Sequence, residues 1–422
     1  PMDYMSEYKR WLDCSALSAD EHAELAAVAD NQEEIESRFF APLSFGTAGL
    51  RGVLGVGLNR MNRFTVGQAA QGLANLIVSN GQAAMDRGVA IAYDSRHFSA
   101  EFAKQSACIM AANGIQSLLF DELRPTPELS FAVRHYGCIA GINITASHNP
   151  KEYNGYKVYW EDGSQIVSPQ DQDILKHVAD VERYEDVKTM DKDKAVADGL
   201  FCMVPASVDE NYYQALIKQT IHGDIIPKVA DDIKIVYTPL HGTGNIPARR
   251  ILKELGFENV YVVKEQELPD GEFPTVSYPN PEAEEAFELG LKLAKEVDAD
   301  IVLATDPDAD RLGVYCKDTK SGEYVTFTGN MSAMLIAEYI LGQKRANNTM
   351  PENPVLVESI VSTDMAKAIA KAYDVELVEV LTGFKYIGEQ MLKYEKSGEK
   401  NYVFGFEESY GCLPGTYARD KD

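Results

Sequence analysis

Residues 299–311, ADIVLATDPDADR, place a short apolar run directly before a loop that holds three aspartates. The apolar half is typical of a buried strand, and residues 282–297 before it have the spacing of an amphipathic helix. Strands and helices alternate in the same way on both sides of this stretch, which implies βαβ units and a mostly parallel sheet. The stretch therefore predicts an α/β fold with an acidic loop at the end of a strand.

This alternation occurs three times along the chain. One series contains the strands VAIAY (89–93) and CIAGINIT (138–145), another contains DIKIVYTPL (232–240), and the third begins near residue 325. A length of 422 residues also suggests about three domains of typical size. We predict three similar α/β domains with mixed, mostly parallel sheets around a central cleft. Their predicted ranges are 1–205, 206–322 and 323–422.

The charge balance narrows the class of partner. The chain has 40 Lys and Arg residues against 65 Asp and Glu residues, a formal net charge of −25. This excess repels nucleic acid phosphates and anionic lipid, so we expect neither nucleic acid nor a membrane as partner. No apolar run approaches the length of a membrane span, and the acidic residues 1–30 lack signal-peptide character. We therefore expect a cytoplasmic protein.

Three polar motifs follow directly after predicted strands. They are TASHNP (145–150), DPDADR (306–311) and LTGFKYIG (381–388). Ligand sites of open α/β sheets lie at the carboxyl ends of the strands, and clefts between domains are common ligand sites. We expect one site that is assembled from all three domains.

The DPDADR motif offers three carboxylates, Asp306, Asp308 and Asp310, from one tight loop. Mg²⁺ prefers oxygen ligands, and no Cys or His accompanies these residues, so zinc is disfavoured. A calcium-binding EF-hand is excluded, since Arg311 stands where that loop needs Gly and Lys317 where it needs Glu. An acidic surface turn is the alternative, because Asp and Pro both favour turns. Binding of a divalent cation is the favoured interpretation.

Ser147, in TASHNP, stands at the mouth of an apolar strand. A serine hydrolase is disfavoured, because the chain contains no G-x-S-x-G motif. A serine on such a loop can instead carry a phosphoryl group, with a metal neutralising the transferring oxygens. From the residues alone, this interpretation and a simple Asn-Pro turn are equally well supported. His148 by itself is more often a structural residue than a catalyst.

The remaining candidates are individually weak. FGTAGLRG (45–52) has glycines around Arg51, which is either a phosphate contact or a solvated surface residue. Glu407 and Ser409 alternate after a strand and can point the same way, toward vicinal hydroxyls. Lys385 is a compact charge suited to phosphate. A glycine-rich turn explains the segments around Glu407 and Lys385 equally well.

Taken together, FGTAGLRG, TASHNPKEYNGYK, DPDADR and GFEESYG closely resemble the α-D-phosphohexomutase superfamily, specifically its phosphoglucomutase/phosphomannomutase branch. TASHNP with DPDADR at this separation is highly specific, and the resemblance covers essentially the whole chain. It implies α/β domains around a deep central cleft, with one loop from each domain.

The resemblance also implies roles for the matching residues. One Mg²⁺ per chain would be bound by Ser147, Asp306, Asp308 and Asp310, the serine acting through an oxygen of its phosphoryl group. The implied catalytic residues are the phosphorylated Ser147, Lys157 as general acid/base with His148 as an alternative, and the cations Arg51 and Arg311. The implied substrate-binding residues are Glu407, Ser409, Lys385 and, as a weaker candidate in YDSR, Arg96.

The implied activity is the Mg²⁺-dependent interconversion of α-D-glucose 1-phosphate and glucose 6-phosphate. It would pass through a phosphoserine enzyme and a hexose 1,6-bisphosphate, with glucose 1,6-bisphosphate as activator. YTPLHGTG (237–244) and GFKYIG look most like the phosphoglucomutase and phosphopentomutase subgroup. Mannose phosphate and pentose phosphate stay open as substrates, since sugar choice depends on the shape of loops. We expect a monomer or weak homodimer with a sugar phosphate as its partner.

One departure from the family pattern bears on activity. Family members carry a fourth domain whose Ser/Thr-, Gly- and Arg-rich loop grips the non-transferred phosphate, and no such segment occurs in this sequence. We therefore expect a fragment with weak or no turnover. Two interpretations outside the family stay open: a Mg²⁺-dependent aspartyl phosphatase that uses the D-x-D of 306–308, and a non-catalytic fragment that binds sugar phosphate.

Overall fold

Three β-sheets form the framework of the protein. The computed structural model describes residues 2–46 and 49–422. Within those ranges the sheets have six, five and four strands, and each combines parallel with antiparallel pairs. The predicted fold class, similar α/β domains with mixed sheets, is confirmed.

The first sheet contains β1 (Leu50–Val53), β2 (Val89–Tyr93), β3 (Ser117–Leu119), β4 (Ala140–Ile144), β5 (Tyr153–Trp160) and β6 (Phe201–Met203). Their order is β1-β5-β4-β2-β3-β6, and only β5 runs antiparallel to both of its neighbours. The accompanying helices are α1 (Tyr4–Leu12), α2 (Ala19–Ala27), α3 (Gln32–Phe39), α4 (Arg63–Ser79), α5 (Gln82–Arg87), α6 (Ser99–Ala112), α7 (Thr126–His135), α8 (Gln170–Ala179) and α9 (Lys192–Ala197). A 3₁₀ turn lies at Tyr184–Asp186.

The second sheet contains β7 (Ile235–Thr238), β8 (Val260–Val262), β9 (Ile301–Thr305), β10 (Leu312–Lys317) and β11 (Tyr324–Thr326). Their order is β11-β10-β9-β7-β8, with β9, β7 and β8 parallel. The helices of this region are α10 (Val208–Ile217), α11 (Ile226–Val229), α12 (Asn245–Leu255), α13 (Lys264–Glu267) and α14 (Glu288–Val297). The predicted helix over 282–297 is thus shorter than expected, because its first turn, Glu284–Phe287, is 3₁₀.

The third sheet contains β12 (Pro354–Ser359), β13 (Glu376–Val380), β14 (Asn401–Glu407) and β15 (Gly411–Leu413). Their order is β13-β12-β14-β15, and β15 is antiparallel to β14. Its helices are α15 (Gly329–Ala346), α16 (Met365–Ala372) and α17 (Phe384–Ser397).

The strands beneath the candidate site are buried on both faces. Every residue of β2 and β4 is buried. Leu73 and Ile109, from α4 and α6, belong to the core on one side of the sheet, and Leu129 and Val133 of α7 belong to the core on the other. Burial on both faces explains why these strands are continuous apolar runs rather than alternating ones.

The three sheets repeat one arrangement of four strands. The orders β3-β2-β4-β5, β8-β7-β9-β10 and β13-β12-β14-β15 are equivalent, with three parallel strands followed by one antiparallel strand. The turn from the third to the fourth of these strands covers residues 145–152, 306–311 and 408–410 respectively. These turns contain the serine motif, the aspartate motif and Ser409, so the predicted site loops occupy equivalent positions in the three domains.

Within residues 2–46 and 49–422, no helix is long and apolar enough to cross a membrane.

Candidate active site

Ser147 lies between β4 and β5 and is in direct contact with the aspartate loop. Its Oγ donates a hydrogen bond to Asp306 Oδ2 at 3.0 Å and lies 3.3 Å from His148 Nδ1. Ser147 has a φ of 54°, and its N–H donates to Thr145 Oγ1 at 2.9 Å. The fold therefore brings together the two motifs that the sequence singled out.

Arg96 holds the serine loop from behind. Its guanidinium donates to the carbonyl oxygens of Ser147 and Asn149, both at 2.7 Å, and to those of Pro150 and Tyr153. Its Nε lies 3.3 Å from Asp94 Oδ2, and both of these side chains are fully buried. The sequence suggested that Arg96 contacts substrate. In the structure, Arg96 is instead buried beneath the loop, and its N–H groups donate to backbone carbonyl oxygens.

Asp306, Asp308 and Asp310 form a compact buried group. One carboxylate oxygen from each lies within 4.8 Å of the others. Among the described residues, Asp308 Oδ1 and Asp310 Oδ1 are buried without a hydrogen-bond partner. Such orphaned oxygens are costly unless something else binds them, and a hard divalent cation accepts oxygen ligands of this kind. The residues thus fit a Mg²⁺ ion.

The pKa values of Asp306 and Asp310 are shifted in opposite directions. Burial, reinforced by the charges of Asp308 and Asp310, raises the pKa of Asp306 well above its ordinary value. Burial also opposes ionisation of Asp310, but Lys421, Lys157 and Arg311 together hold the pKa of Asp310 below its ordinary value. The loop is therefore strained by mutual repulsion that a cation would relieve.

Lys157 and Arg311 both adjoin the aspartates. Lys157, on β5, has its Nζ 3.8 Å from Asp308 Oδ2. The backbone N–H of Arg311 donates to Asp306 Oδ1 at 3.2 Å, and its Nη1 lies 3.3 Å from Glu282 Oε1. These two cations partly neutralise the acidic loop.

Arg51 and His148 flank the serine on the other side. The exposed Arg51 donates from Nη1 to Asn149 Oδ1 at 3.2 Å. The glycine before it in the motif, Gly49, has a φ of 84°, and a Cβ there would overlap Tyr156 O, so close packing on β5 requires this glycine. Thr47 and Ala48 of the same motif lie outside the described residues. Burial, with Arg311 nearby, lowers the pKa of His148 to about 3, so its imidazole is neutral at neutral pH.

The third domain reaches the aspartates through Lys421, which the sequence analysis missed. Its Nζ lies 3.5 Å from Asp310 Oδ2 and 3.8 Å from Glu407 Oε2. Glu407 also accepts a hydrogen bond from the N–H of Gly383 at 2.8 Å, at the start of α17. The only sequence signal for Lys421 is its place in the charged run ARDKD, which lies in no predicted element.

Ser409 and Lys385 belong to the two segments that meet where Gly383 donates to Glu407. Ser409 is half-buried in the turn between β14 and β15. Lys385 is buried in the first turn of α17, where burial lowers its pKa and Asp171 of α8 opposes that shift. The assignment of both side chains to substrate stays a prediction.

The segment HGTG supports the aspartate loop from within the second domain. The N–H and Oγ1 of Thr243 donate to Pro307 O at 2.8 and 2.7 Å. A Cβ on Gly242 would overlap the backbone of Pro307. Glycine is needed here because the two loops approach so closely.

Family models match most of the chain. Those for the α/β/α domains I, II and III of phosphoglucomutase/phosphomannomutase match residues 42–185, 210–321 and 328–422. The chain belongs to the phosphoglucomutase/phosphomannomutase family. Ser147, the three aspartates and Glu407 each fall inside a different matched range, whereas helices α1–α3 precede the first.

Individual members of this family are also similar to the chain. A phosphoglucomutase of Staphylococcus saprophyticus is 38% identical over 391 residues, which cover 93% of this chain and 69% of that protein. One from Staphylococcus epidermidis is 41% identical over 92% of this chain and 68% of its own length. A family protein from Burkholderia thailandensis has a solved structure with a TM-score of 0.65 at 23% identity, covering 90% of this chain and 73% of that one. This last likeness supports the fold.

Proposed function

We propose that the protein is a phosphoglucomutase, interconverting α-D-glucose 1-phosphate and glucose 6-phosphate. The observation that carries this proposal is the 3.0 Å hydrogen bond between Ser147 Oγ and Asp306, which links a phosphoryl-accepting hydroxyl to a cation-binding group. The names of the staphylococcal relatives support the choice of glucose phosphate. The division into domains 1–205, 206–322 and 323–422 is part of this proposal.

The cation site would consist of Asp306, Asp308 and Asp310 with an oxygen of phosphorylated Ser147. A bound Mg²⁺ supplies positive charge that neutralises the oxygens of the transferring phosphoryl group. The protein's own part is to fix the three carboxylates and the serine in one buried place, so that positioning costs little during the reaction.

The proposed reaction uses Ser147 twice. In the first transfer the bond between phosphorus and Ser147 Oγ breaks, and a bond forms to the free hydroxyl oxygen of the sugar phosphate. The hydroxyl proton passes to a neighbouring base, a proton returns to the freed Ser147 Oγ, and a hexose 1,6-bisphosphate results. In the second transfer the bond between phosphorus and the oxygen at the other end of the sugar breaks, and a bond forms to Ser147 Oγ. The proton of Ser147 passes through the base to the freed sugar oxygen.

His148 is the group we assign to proton transfer at Ser147, because its Nδ1 lies 3.3 Å from Oγ and its imidazole is neutral; a phosphoryl group on Ser147 would add negative charge beside it and raise its lowered pKa. Lys157 is directed at Asp308 and is assigned to charge neutralisation with Arg311. Arg51, at the rim beside Asn149, is assigned to phosphate. Glu407 and Ser409 are assigned to the sugar hydroxyls, and Lys385 to the substrate side of the cleft. This differs from the sequence-based preference for Lys157 as the acid/base group.

Three finer points belong to the same proposal. Glucose 1,6-bisphosphate would act as activator, since it can phosphorylate Ser147 directly. Mannose 1-phosphate is the second candidate substrate, supported by the breadth of the family model. The protein would act as a monomer or weak homodimer.

Intact-mass spectrometry after incubation with glucose 1,6-bisphosphate tests the central step. We expect one added phosphoryl group on Ser147, and its loss when glucose 1-phosphate and Mg²⁺ are added. Ser147→Ala should abolish both the added mass and turnover. Ser106→Ala is the matched control, since Ser106 is equally buried but donates to Phe102 O within α6; it should behave as wild type.

Two results would contradict the proposal. If Ser147 never carries phosphate, it is not the carrier of the phosphoryl group. Turnover that survives in Ser147→Ala would point instead to an aspartyl phosphatase that uses Asp306 and Asp308.

A further inference from the structure

Thr126, the first residue of α7, joins the first domain to the aspartate loop of the second. We propose that Thr126, ordered by Asn143, is a positioning residue that orients Asp308 for a divalent cation. This inference rests on the proposed cation site, and it concerns residues that no sequence motif singled out.

Thr126 makes two hydrogen bonds to the same aspartate. Its backbone N–H donates to Asp308 O at 2.9 Å, and its hydroxyl donates to Asp308 Oδ2 at 2.8 Å. Thr126 is fully buried and Asp308 is 1% exposed, so water does not compete for these bonds. The two contacts fix both the backbone and the carboxylate of Asp308 against α7.

Asn143 sets the direction of the hydroxyl bond. Its Nδ2 donates to Thr126 Oγ1 at 2.6 Å from the neighbouring strand β4, and Asn143 is 1% exposed. Because an amide NH₂ can only donate, the threonine oxygen accepts at this contact and turns its own proton toward Asp308. The order Asn143 to Thr126 to Asp308 is therefore fixed.

The two carboxylate oxygens of Asp308 therefore have different surroundings. Oδ2 is held by Thr126, with Lys157 Nζ 3.8 Å away. Oδ1 is buried without a hydrogen-bond partner in the described part of the chain. The hydrogen bond thus presents one defined oxygen to a cation, and bonds of this kind commonly tune metal affinity.

Binding of Mn²⁺, followed by electron paramagnetic resonance of the free ion, tests this inference without an activity assay. We expect Thr126→Val, which keeps the shape but loses the hydroxyl, to weaken Mn²⁺ binding by about tenfold. Thr126→Ser should restore most of the affinity. Asn143→Ala, which leaves Thr126 in place but frees its proton to turn elsewhere, should weaken binding by a smaller factor.

Thr65→Val is the matched control. Thr65 is a buried threonine of the same domain, but it caps α4 through Asn62. It should lower the unfolding temperature and leave the Mn²⁺ dissociation constant unchanged, which separates positioning from general stability. Should Thr126→Val fail to fold, the Asn143→Ala and Thr126→Ser pair decides.

The outcomes distinguish this inference from the proposed function. Asp308→Asn, a ligand variant, should lose binding. If it does so while Thr126→Val and Asn143→Ala bind Mn²⁺ as tightly as wild type, the role of Thr126 is overturned and the cation site stands. If wild type binds no stoichiometric Mn²⁺, the cation site and this inference both fail.

Discussion

At the level of single residues, the conformation of Ser147 depends on the groups that hold its loop. A φ of 54° lies in the left-handed region, which costs a non-glycine residue about 1 kcal/mol or more. Thr145 accepts the serine N–H, and Arg96 binds three loop carbonyls and that of Tyr153 at the start of β5. The loop is therefore fixed before any substrate binds, as phosphoryl transfer requires.

Replacing Arg96 by Met tests this support. We expect kcat to fall about a hundredfold or more while KM for glucose 1-phosphate changes little, because the serine would be misplaced but the substrate contacts kept. Steady-state kinetics measure both constants. Arg87→Met is the control, since Arg87 also binds loop carbonyls, those of Gly137 and Cys138, but away from the site. A raised KM with unchanged kcat would return Arg96 to the substrate-binding role that the sequence suggested.

At the level of elements, the equivalent turns of the three domains explain how one site is built from distant segments. Each turn follows a parallel strand and leads into an antiparallel one, so each projects from the carboxyl edge of its sheet. The serine and aspartate turns meet directly, and Lys421 bridges Asp310 to Glu407 at the third. Repetition of one four-strand unit therefore supplies one loop per domain.

The pairing of β12 with β13 gives a pH-dependent prediction. Glu358 lies opposite Glu379 in register and is 1% exposed. Burial, with the charges of Glu379 and Asp364, raises the pKa of Glu358 to about 7. Because the folded state then holds a proton that the unfolded state releases at lower pH, this glutamate lowers stability as pH rises from about 4.5 to about 7.

Glu358→Gln should remove that dependence. We expect its free energy of unfolding to exceed that of wild type by roughly 1–3 kcal/mol at pH 8 and by much less at pH 5. Urea denaturation at the two pH values measures the difference. Glu376→Gln on β13, where the glutamate pairs with Lys400, is the control and should show no such pH dependence. An equal gain for Glu358→Gln at both pH values would contradict the prediction.

For the whole molecule, the sequence predicted the residues that stand in local motifs and missed those that join distant segments of the chain. Ser147 and the aspartates were found because each motif directly follows an apolar strand. Thr126 was not, because its partner Asp308 stands 182 positions away and nothing near Thr126 marks the contact. Lys421 was missed for the same reason, and Arg96 was assigned to substrate because a motif cannot show which way a guanidinium points.

The acidic character of the chain has a local counterpart in the cleft. Burial and the neighbouring Asp308 and Asp310 raise the pKa of Asp306, which shows that negative charge is unfavourable at the aspartate loop. Lys157, Arg311 and Lys421 offset that charge only in part, because Arg311 also pairs with Glu282 and Lys421 with Glu407. Ser147 and Thr126 of the first domain and Lys421 of the third all contact the aspartate loop. A cation bound to this loop would therefore stabilise the contacts between the domains.

Mg²⁺ should therefore stabilise the molecule as a whole. At a hundredfold excess over its dissociation constant, binding to the folded state alone adds about 2.7 kcal/mol to the free energy of unfolding. Calorimetric scans in EDTA and in MgCl₂ at matched ionic strength measure the increment. Asp306→Asn, which is uncharged and close in shape, should be at least as stable as wild type in EDTA, because it removes the cost of a buried charge and the repulsion from Asp308 and Asp310, which together raise the pKa of Asp306. Adding Mg²⁺ should not raise the free energy of unfolding of Asp306→Asn. If Mg²⁺ stabilises this variant as much as wild type, the cation binds elsewhere than on this loop.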